Sequence, residues 1–464
     1  MTNTKRYIVK MLADIFIIAC MLTICTAHAS ASGTLDVDTC NNEIYPHEAY
    51  KQGVEPPYSV NEEMEEYVNP ATGNLEIKHT DLFLKGKNGF DFSLTRYYSL
   101  NQAVMYEPYL ETIEYYNNYG GPFYEQEFHE EGETIYKKRF DLGVGWTFDL
   151  PFIEERGSHD YLHYGSSGTW EIRMTGYTDD SNLDGYPLRD MVISRCHGDY
   201  SVGGKNAGPL LSHKDGRKIY FDGSGLLLAM EDRYGNRIRF YYEGSQDKRI
   251  KKIIDSVGRE VNIRYYSSSG DVEITVNHPD DPSKNRRIYY EMYGTCLGSV
   301  EDAEGRITQY EYSKNEAEYS YSCKRAGQVH YYEGVINGTY YNIRHKHYKN
   351  YYQCLERITH PTGAKTYYRY DGQVKNLGED GSMEFFKVTD RMDYNGEYDY
   401  ELPYYSEDND RPYFYNYKTY TYDSNQYDGY DEDKDNCYYY ENLPASYEYE
   451  TVVEDYTTGV VQTY

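Results

Sequence analysis

Asp232-Arg233-Tyr234-Gly235-Asn236 and, 23 residues further on, Asp255-Ser256-Val257-Gly258-Arg259 are two copies of one turn. Asp302-Ala303-Glu304-Gly305-Arg306 and His360-Pro361-Thr362-Gly363-Ala364 align with them on the shared glycine. An aspartate at the first turn position bonds the backbone that follows it, and glycine accepts the positive φ that closes a tight hairpin. Alternating residues follow each glycine and end in tyrosines: Tyr241-Tyr242, Tyr265-Tyr266, Tyr310-Glu311-Tyr312 and Tyr367-Tyr368-Arg369-Tyr370. One such hairpin cannot bury its face alone, so neighbours must stack into a continuous sheet. Asp232, Gly235, Asp255, Gly258, Asp302, Gly305 and Gly363 are thus the expected structural turn residues of an all-β array of antiparallel hairpins spanning residues 213–371.

Upstream, residues 67–212 read as a β-rich opening domain. Leu75 and Ile77, then Leu82 and Leu84, alternate with polar neighbours, which is strand period. Lys87-Asn88-Gly89 is a hairpin turn, and Phe90 to Tyr98 is the return strand. The glycines of Leu142-Gly143-Val144-Gly145-Trp146 mark a sharp bend with a tryptophan beneath it. The Tyr- and Glu-rich insertion at residues 101–138 reads as a long loop. Residues 32–66, with Pro46, Pro56, Pro57 and an acidic run from Glu62 to Glu66, read as a polar leader or linker. Residues 372–464 hold 22 acidic and 6 basic side chains, and read as a degenerate continuation of the array or a flexible tail.

The composition suits thin sheets. Tyrosine occurs 61 times against 14 Phe and 2 Trp, and it favours strands while tolerating water at its phenol end. The net charge of −29 argues against nucleic acid as a partner, because phosphate binding needs an excess of Lys and Arg.

Residues 1–31 read as a signal peptide. Lys5, Arg6 and Lys10 precede an apolar stretch from Ile15 to Cys25, and Ala27-His28-Ala29 and Ala29-Ser30-Ala31 both offer a cleavage site. The expected location is secreted, extracellular or wall-associated, with no membrane span after cleavage. Cys40, Cys196, Cys296, Cys323, Cys354 and Cys437 remain, and export leaves disulfides and buried free thiols both open. No C-x-x-C occurs, which argues against zinc.

The turn segments of residues 213–371 resemble the YD-repeat family, which includes rearrangement-hotspot proteins, teneurins and bacterial wall-associated proteins. Asn69 to Tyr98 and Leu142 to Pro151 resemble the domain that precedes the repeats in bacterial members. The resemblance implies a sheet that spirals into a full or partial shell, often around a C-terminal toxic domain. It also implies another YD-repeat chain or such a cargo as partner. One departure is clear: the family's closing D-P-x-G motif is missing, since Asp281-Pro282 is followed by Ser283-Lys284.

Candidate chemistry is sparse. Asp431-Glu432-Asp433-Lys434-Asp435-Asn436 starts like a calcium loop but lacks its glycine. His345 and His347 share a strand face without a third ligand. Gly165-Ser166-Ser167-Gly168 lacks the spacing of a nucleophile elbow. Cys196 and His197 are adjacent, which points them to opposite faces of a strand. No catalytic, metal or cofactor residue is named. The expected function is a non-enzymatic shell or surface module. The rival readings are a carbohydrate-binding surface protein, for which surface glycans would be the ligand, and a β-scaffold sugar hydrolase.

Overall fold

A computed structural model describes residues 64–105, 107–116, 122–132, 139–156, 159–173, 181–196, 200–244, 249–278, 282–326, 334–336, 339–376, 381–394, 414–422 and 450–464. Residues 1–31, read above as a signal peptide, lie outside them together with Cys40, Cys437 and the Asp431–Asn436 segment, as do the side chains of Cys323, His345 and His347. The described chain is nearly all antiparallel β-structure. It divides into two compact units. In the smaller one, Gly334–Ile336 pairs with the start of Thr339–Thr359. The other comprises Ile44–Arg325 and Ile343–Tyr464.

The larger unit contains a meander in which each strand pairs with the next. It begins with Met191–Arg195 against Lys205–His213, ahead of the first recurring turn. It continues through Lys218–Asp222, Leu227–Glu231, Arg237–Tyr242, Ile250–Ile254, Glu260–Tyr265, Val272–Val276, Arg286–Tyr293 and Cys296–Glu301 to Ile307–Ala326. Thr339–Thr359 leads into Lys365–Asn376, Gly381–Tyr394, Phe414–Tyr422, Thr451–Asp455 and Val460–Thr463 in the same manner. The described parts of residues 372–464 are therefore paired strand.

The recurring turns share one geometry. Gly235, Gly258, Gly305 and Gly363 have φ of +82°, +102°, +78° and +86°. In each, the glycine N–H donates to the carbonyl three residues back, and the first residue's N–H donates to the carbonyl four residues on. The Asp232 Oδ1 accepts the N–H groups of Tyr234 and Asn236 at 2.9 and 2.8 Å. Asp255 and Asp302 repeat this, and their second oxygens take the guanidinium Nε of Arg259 and Arg306 at 2.7 and 2.6 Å. Asp222-Gly223-Ser224-Gly225-Leu226 is a further example that sequence alignment passed over.

The tyrosines after the turns have an internal job. Tyr242, Tyr312 and Tyr370 each stand seven residues past a turn glycine. Their hydroxyls donate to the carbonyls of Leu227, Leu297 and Leu355, at 2.8, 2.9 and 2.5 Å. Each acceptor lies 15 residues before its donor. Tyr242 belongs to the buried core and Tyr312 and Tyr370 pack against it, so all three rings lie on the inward face of the meander. The ring fills the core and the phenol satisfies a backbone oxygen that a phenylalanine would leave unpaired.

That face packs against a second sheet, made of Met64–Val68, Leu75–Lys87, Phe90–Ser99 and Trp146–Phe148. The alternating apolar residues of both layers form one core that includes Leu75, Ile77, Phe92, Leu94, Phe240, Ile253, Ile274 and Tyr290. Two expectations need correction. The acidic run that read as linker ends inside a strand, because Met64 and Val68 alternate into the core while Glu65 faces solvent. The 101–138 insertion is not one long loop: Glu107–Tyr116 and Pro122–Gly132 pair as an antiparallel hairpin. Tyrosine and isoleucine alternating with glutamate satisfy strand period, and this was outweighed in reading by the segment's polarity.

Candidate functional site: a buried ionic seam between the sheets

The structure gathers its charged chemistry between the two layers, at residues not singled out from the sequence. In Leu75–Lys87 the pairing register shifts between Thr80 and Leu82, so Asp81 is the extra residue of a bulge. A bulge re-aims a side chain, and here it turns the Asp81 carboxylate toward the meander. Arg96 sits opposite His79 in the neighbouring strand. One Asp81 oxygen meets the Arg96 Nη1 at 3.1 Å and the His79 Nδ1 at 2.9 Å. The other accepts the Tyr290 hydroxyl at 2.7 Å. The Arg96 Nη2 donates to the Tyr310 hydroxyl at 2.8 Å. The guanidinium lies 5.7 Å from the Trp146 ring and 5.5 Å from the Tyr310 ring. Both charged side chains are 1% exposed.

Trp146 extends the seam by donating from Nε1 to the Tyr312 hydroxyl at 2.7 Å. Tyr98 accepts the Leu355 N–H at 3.0 Å, and its own hydroxyl lies 3.2 Å from the Gln353 carbonyl. At one end, the Leu75–Phe90 hairpin rests on a recurring turn: the Lys87 N–H donates to Ser256 Oγ at 3.0 Å, and Ser256 Oγ donates to the Phe90 carbonyl at 2.9 Å. At the other end, Arg391 holds Glu66 through two bonds of 2.8 and 3.0 Å and Asp393 at 2.6 Å. Beside that clasp the Gly73 carbonyl accepts the Val388 N–H at 3.0 Å. A Cβ on Gly73 would stand 2.4 Å from the Lys387 Cβ, so only glycine permits this approach.

Electrostatics keep the Arg96 guanidinium charged and the phenols around it protonated. Burial pulls the Arg96 guanidinium down, but Asp81 and the surrounding phenols outweigh it and the group is raised. Burial pushes Tyr290 well above its ordinary range, with the Asp81 charge adding to it. Burial likewise pushes Tyr310 up to about 12. The phenols thus stay protonated at neutral pH, with Tyr290 donating to Asp81 and Tyr310 accepting from Arg96.

The structure places the sequence-derived turn residues elsewhere. Two strands separate the Gly235 turn from the Gly258 turn and four separate that one from the Gly305 turn, so Asp232, Asp255 and Asp302 fall at the same end of the sheet, yet each serves its own turn. Gly165-Ser166-Ser167-Gly168 wraps Asp149, whose oxygens accept the Ser166 N–H and hydroxyl at 2.6 and 3.0 Å. Cys196, Cys296 and Cys354 are free thiols, and burial pushes Cys354 up to about 12. Among the described residues no group of three His, Cys, Asp or Glu could hold a metal, and no helix is long and apolar enough to cross a membrane.

Two sequence signals pointed to the seam. The apolar phase runs through Leu75 and Ile77 and then flips to Leu82 and Leu84, which requires an extra residue near Asp81. Phe92, Leu94 and Tyr98 share a strand face on which Arg96 also falls. A charge on a core phase is a request for a buried partner.

No protein-family model matches the sequence, and no curated protein is significantly similar to it.

Proposed function

We propose that this chain is an exported, non-enzymatic module of the YD-repeat type, working as a wall section of an enclosing shell. The observation that carries the reading is the seam. Its buried carboxylate, guanidinium and phenols bond one another across two sheets, which suits holding layers together. Turn aspartates that bond their own backbone add to this support. On this reading the partners are another YD-repeat chain or an enclosed cargo.

The glycan-binding rival would use exposed tyrosine rings as stacking platforms. Several half-buried rings of the meander already carry cations, with Lys252 5.3 Å from Tyr241, Arg264 4.6 Å from Tyr266 and Arg287 4.5 Å from Tyr289, and the exposed Tyr234 ring has Arg233 at 4.8 Å. Binding of the intact chain to a glycan array, beside hydrolysis of a polysaccharide panel, tests the proposal. The expected result is no retained glycan and no turnover. A specific glycan held at micromolar affinity or better, or turnover lost on replacing one carboxylate, overturns it.

A further inference from the structure

Strand His159–Tyr164 runs through the short turn Gly165–Ser167 into strand Thr169–Arg173. Asp149 pins that turn by accepting the Ser166 N–H. The Tyr164 N–H donates to the Gly168 carbonyl at 2.8 Å. The next cross-strand pair sets His163 against Thr169. In antiparallel pairing that is the non-hydrogen-bonded kind, in which opposed side chains stand closest. The Thr169 hydroxyl lies 3.0 Å from His163 Nδ1, and His163 Nε2 lies 2.8 Å from Glu154 Oε2. A carboxylate only accepts, so Nε2 carries the ring proton and Nδ1 is the acceptor that faces the hydroxyl. The His163 ring is 1% exposed and stacks on Phe152 at 4.4 Å, which fixes its position.

The residue before Thr169 is Gly168, with φ of +143° and ψ of 179°, a conformation essentially confined to glycine. A Cβ there would stand 2.9 Å from the Trp170 ring. The Gly168 carbonyl carbon thus has no side chain beside it, and its oxygen already holds a donor. The geometry points to the Gly168–Thr169 peptide bond as a self-cleavage site, with Thr169 as nucleophile, His163 as general base and Glu154 as positioning residue. Thr169 Oγ1 bonds to the Gly168 carbonyl carbon while its proton passes to His163 Nδ1. The charge that gathers on the carbonyl oxygen is met by the Tyr164 N–H. The C–N bond breaks as His163 returns the proton to the Thr169 nitrogen, leaving an ester. Water then hydrolyses the ester, which releases the Gly168 carboxylate and restores the Thr169 hydroxyl. Pairing of the two strands holds the pieces together after the cut. The reaction is stoichiometric on the chain's own backbone and does not depend on the enclosing role; a glycan ligand would leave it intact.

Incubation of the purified full chain at neutral pH, read by denaturing gels and mass spectrometry, tests the site. Two pieces are expected, one ending at Gly168 and one beginning at Thr169, which co-elute in gel filtration without denaturant. Hydroxylamine captures esters, so it is expected to speed the cut and leave a hydroxamate on Gly168. Thr169→Ser keeps the hydroxyl and is expected to cut. Thr169→Val keeps the shape and is expected to stay whole with the melting temperature unchanged. His163→Gln is expected to slow the cut by about 100-fold or more. Glu154→Gln is expected to slow it too, and Glu154→Asp to restore part of the rate. A wild-type chain that stays whole even with hydroxylamine overturns the inference, as does a cut before residue 169 that survives in Thr169→Val.

Discussion

Arg96 and Arg287 are each held by carboxylates beside a tyrosine ring, one in the seam and one on the outer face of the meander. Arg96 meets Asp81 with both partners 1% exposed. Arg287 bridges Glu273 at 2.8 Å and Glu301 at 3.2 Å while remaining 48% exposed. The chemistry is nearly the same and the surroundings are opposite. Water screens the outer pairs, so they cost little to break. In the seam a charge that loses its partner is stranded in low dielectric. The two faces of one sheet therefore differ in what they contribute: the inner face specifies which layer docks on it, and the outer face keeps the sheet soluble.

The sharpest way to break this comparison is Asp81→Ala. It leaves Arg96 buried beside two phenols, with an expected loss of about 3–5 kcal/mol of unfolding free energy in urea melts. The double variant Asp81→Leu with Arg96→Met is expected to recover part of that loss, because the apolar pair needs no partner while the Tyr290 hydroxyl is left without its acceptor. A loss below about 1 kcal/mol for Asp81→Ala would erase the distinction between the faces.

Tyrosine to phenylalanine in the core probes the seam more gently. Tyr242→Phe removes only the bond to the Leu227 carbonyl, and about 0.5–1.5 kcal/mol is expected. Tyr312→Phe also strands the Trp146 N–H, so it is expected to be the more damaging of the two in the same melts. Equal effects would mean that the Trp146 bond contributes nothing.

The smallest effect belongs to the outer face. Arg287→Ala is expected to cost no more than about 1 kcal/mol, and less as salt rises. A larger loss that salt does not reduce would show that the outer ladder is structural in the same sense as the seam.

The turns were legible because their information is local. Asp232 to Gly235 carry both the side-chain acceptor and the residue that tolerates positive φ within five positions, so no distant contact is needed to read them. The alternation around Leu75, Ile77, Phe92 and Leu94 was legible for the same reason. The 101–138 hairpin was misread because glutamate-rich polarity and strand period conflict there, and pairing overrode the first. The candidate site was half visible: the phase flip at Asp81 and the core-phase Arg96 announce two buried charges, but not that they meet.

The sequence by itself determined that this is a β-protein, where the Gly235, Gly258, Gly305 and Gly363 turns fall, and that Leu75, Ile77, Leu82 and Leu84 are inward residues of their strand. Each of these follows from dihedral preference and a period of two. Only the tertiary structure decided that Asp81 meets Arg96, that Tyr290 and Tyr310 complete their bonds from more than 200 residues away, and that Glu66 closes on Arg391. Those partners are chosen by how one layer lies across another. That is a packing optimum over many side chains at once, and no stretch of chain holds it alone.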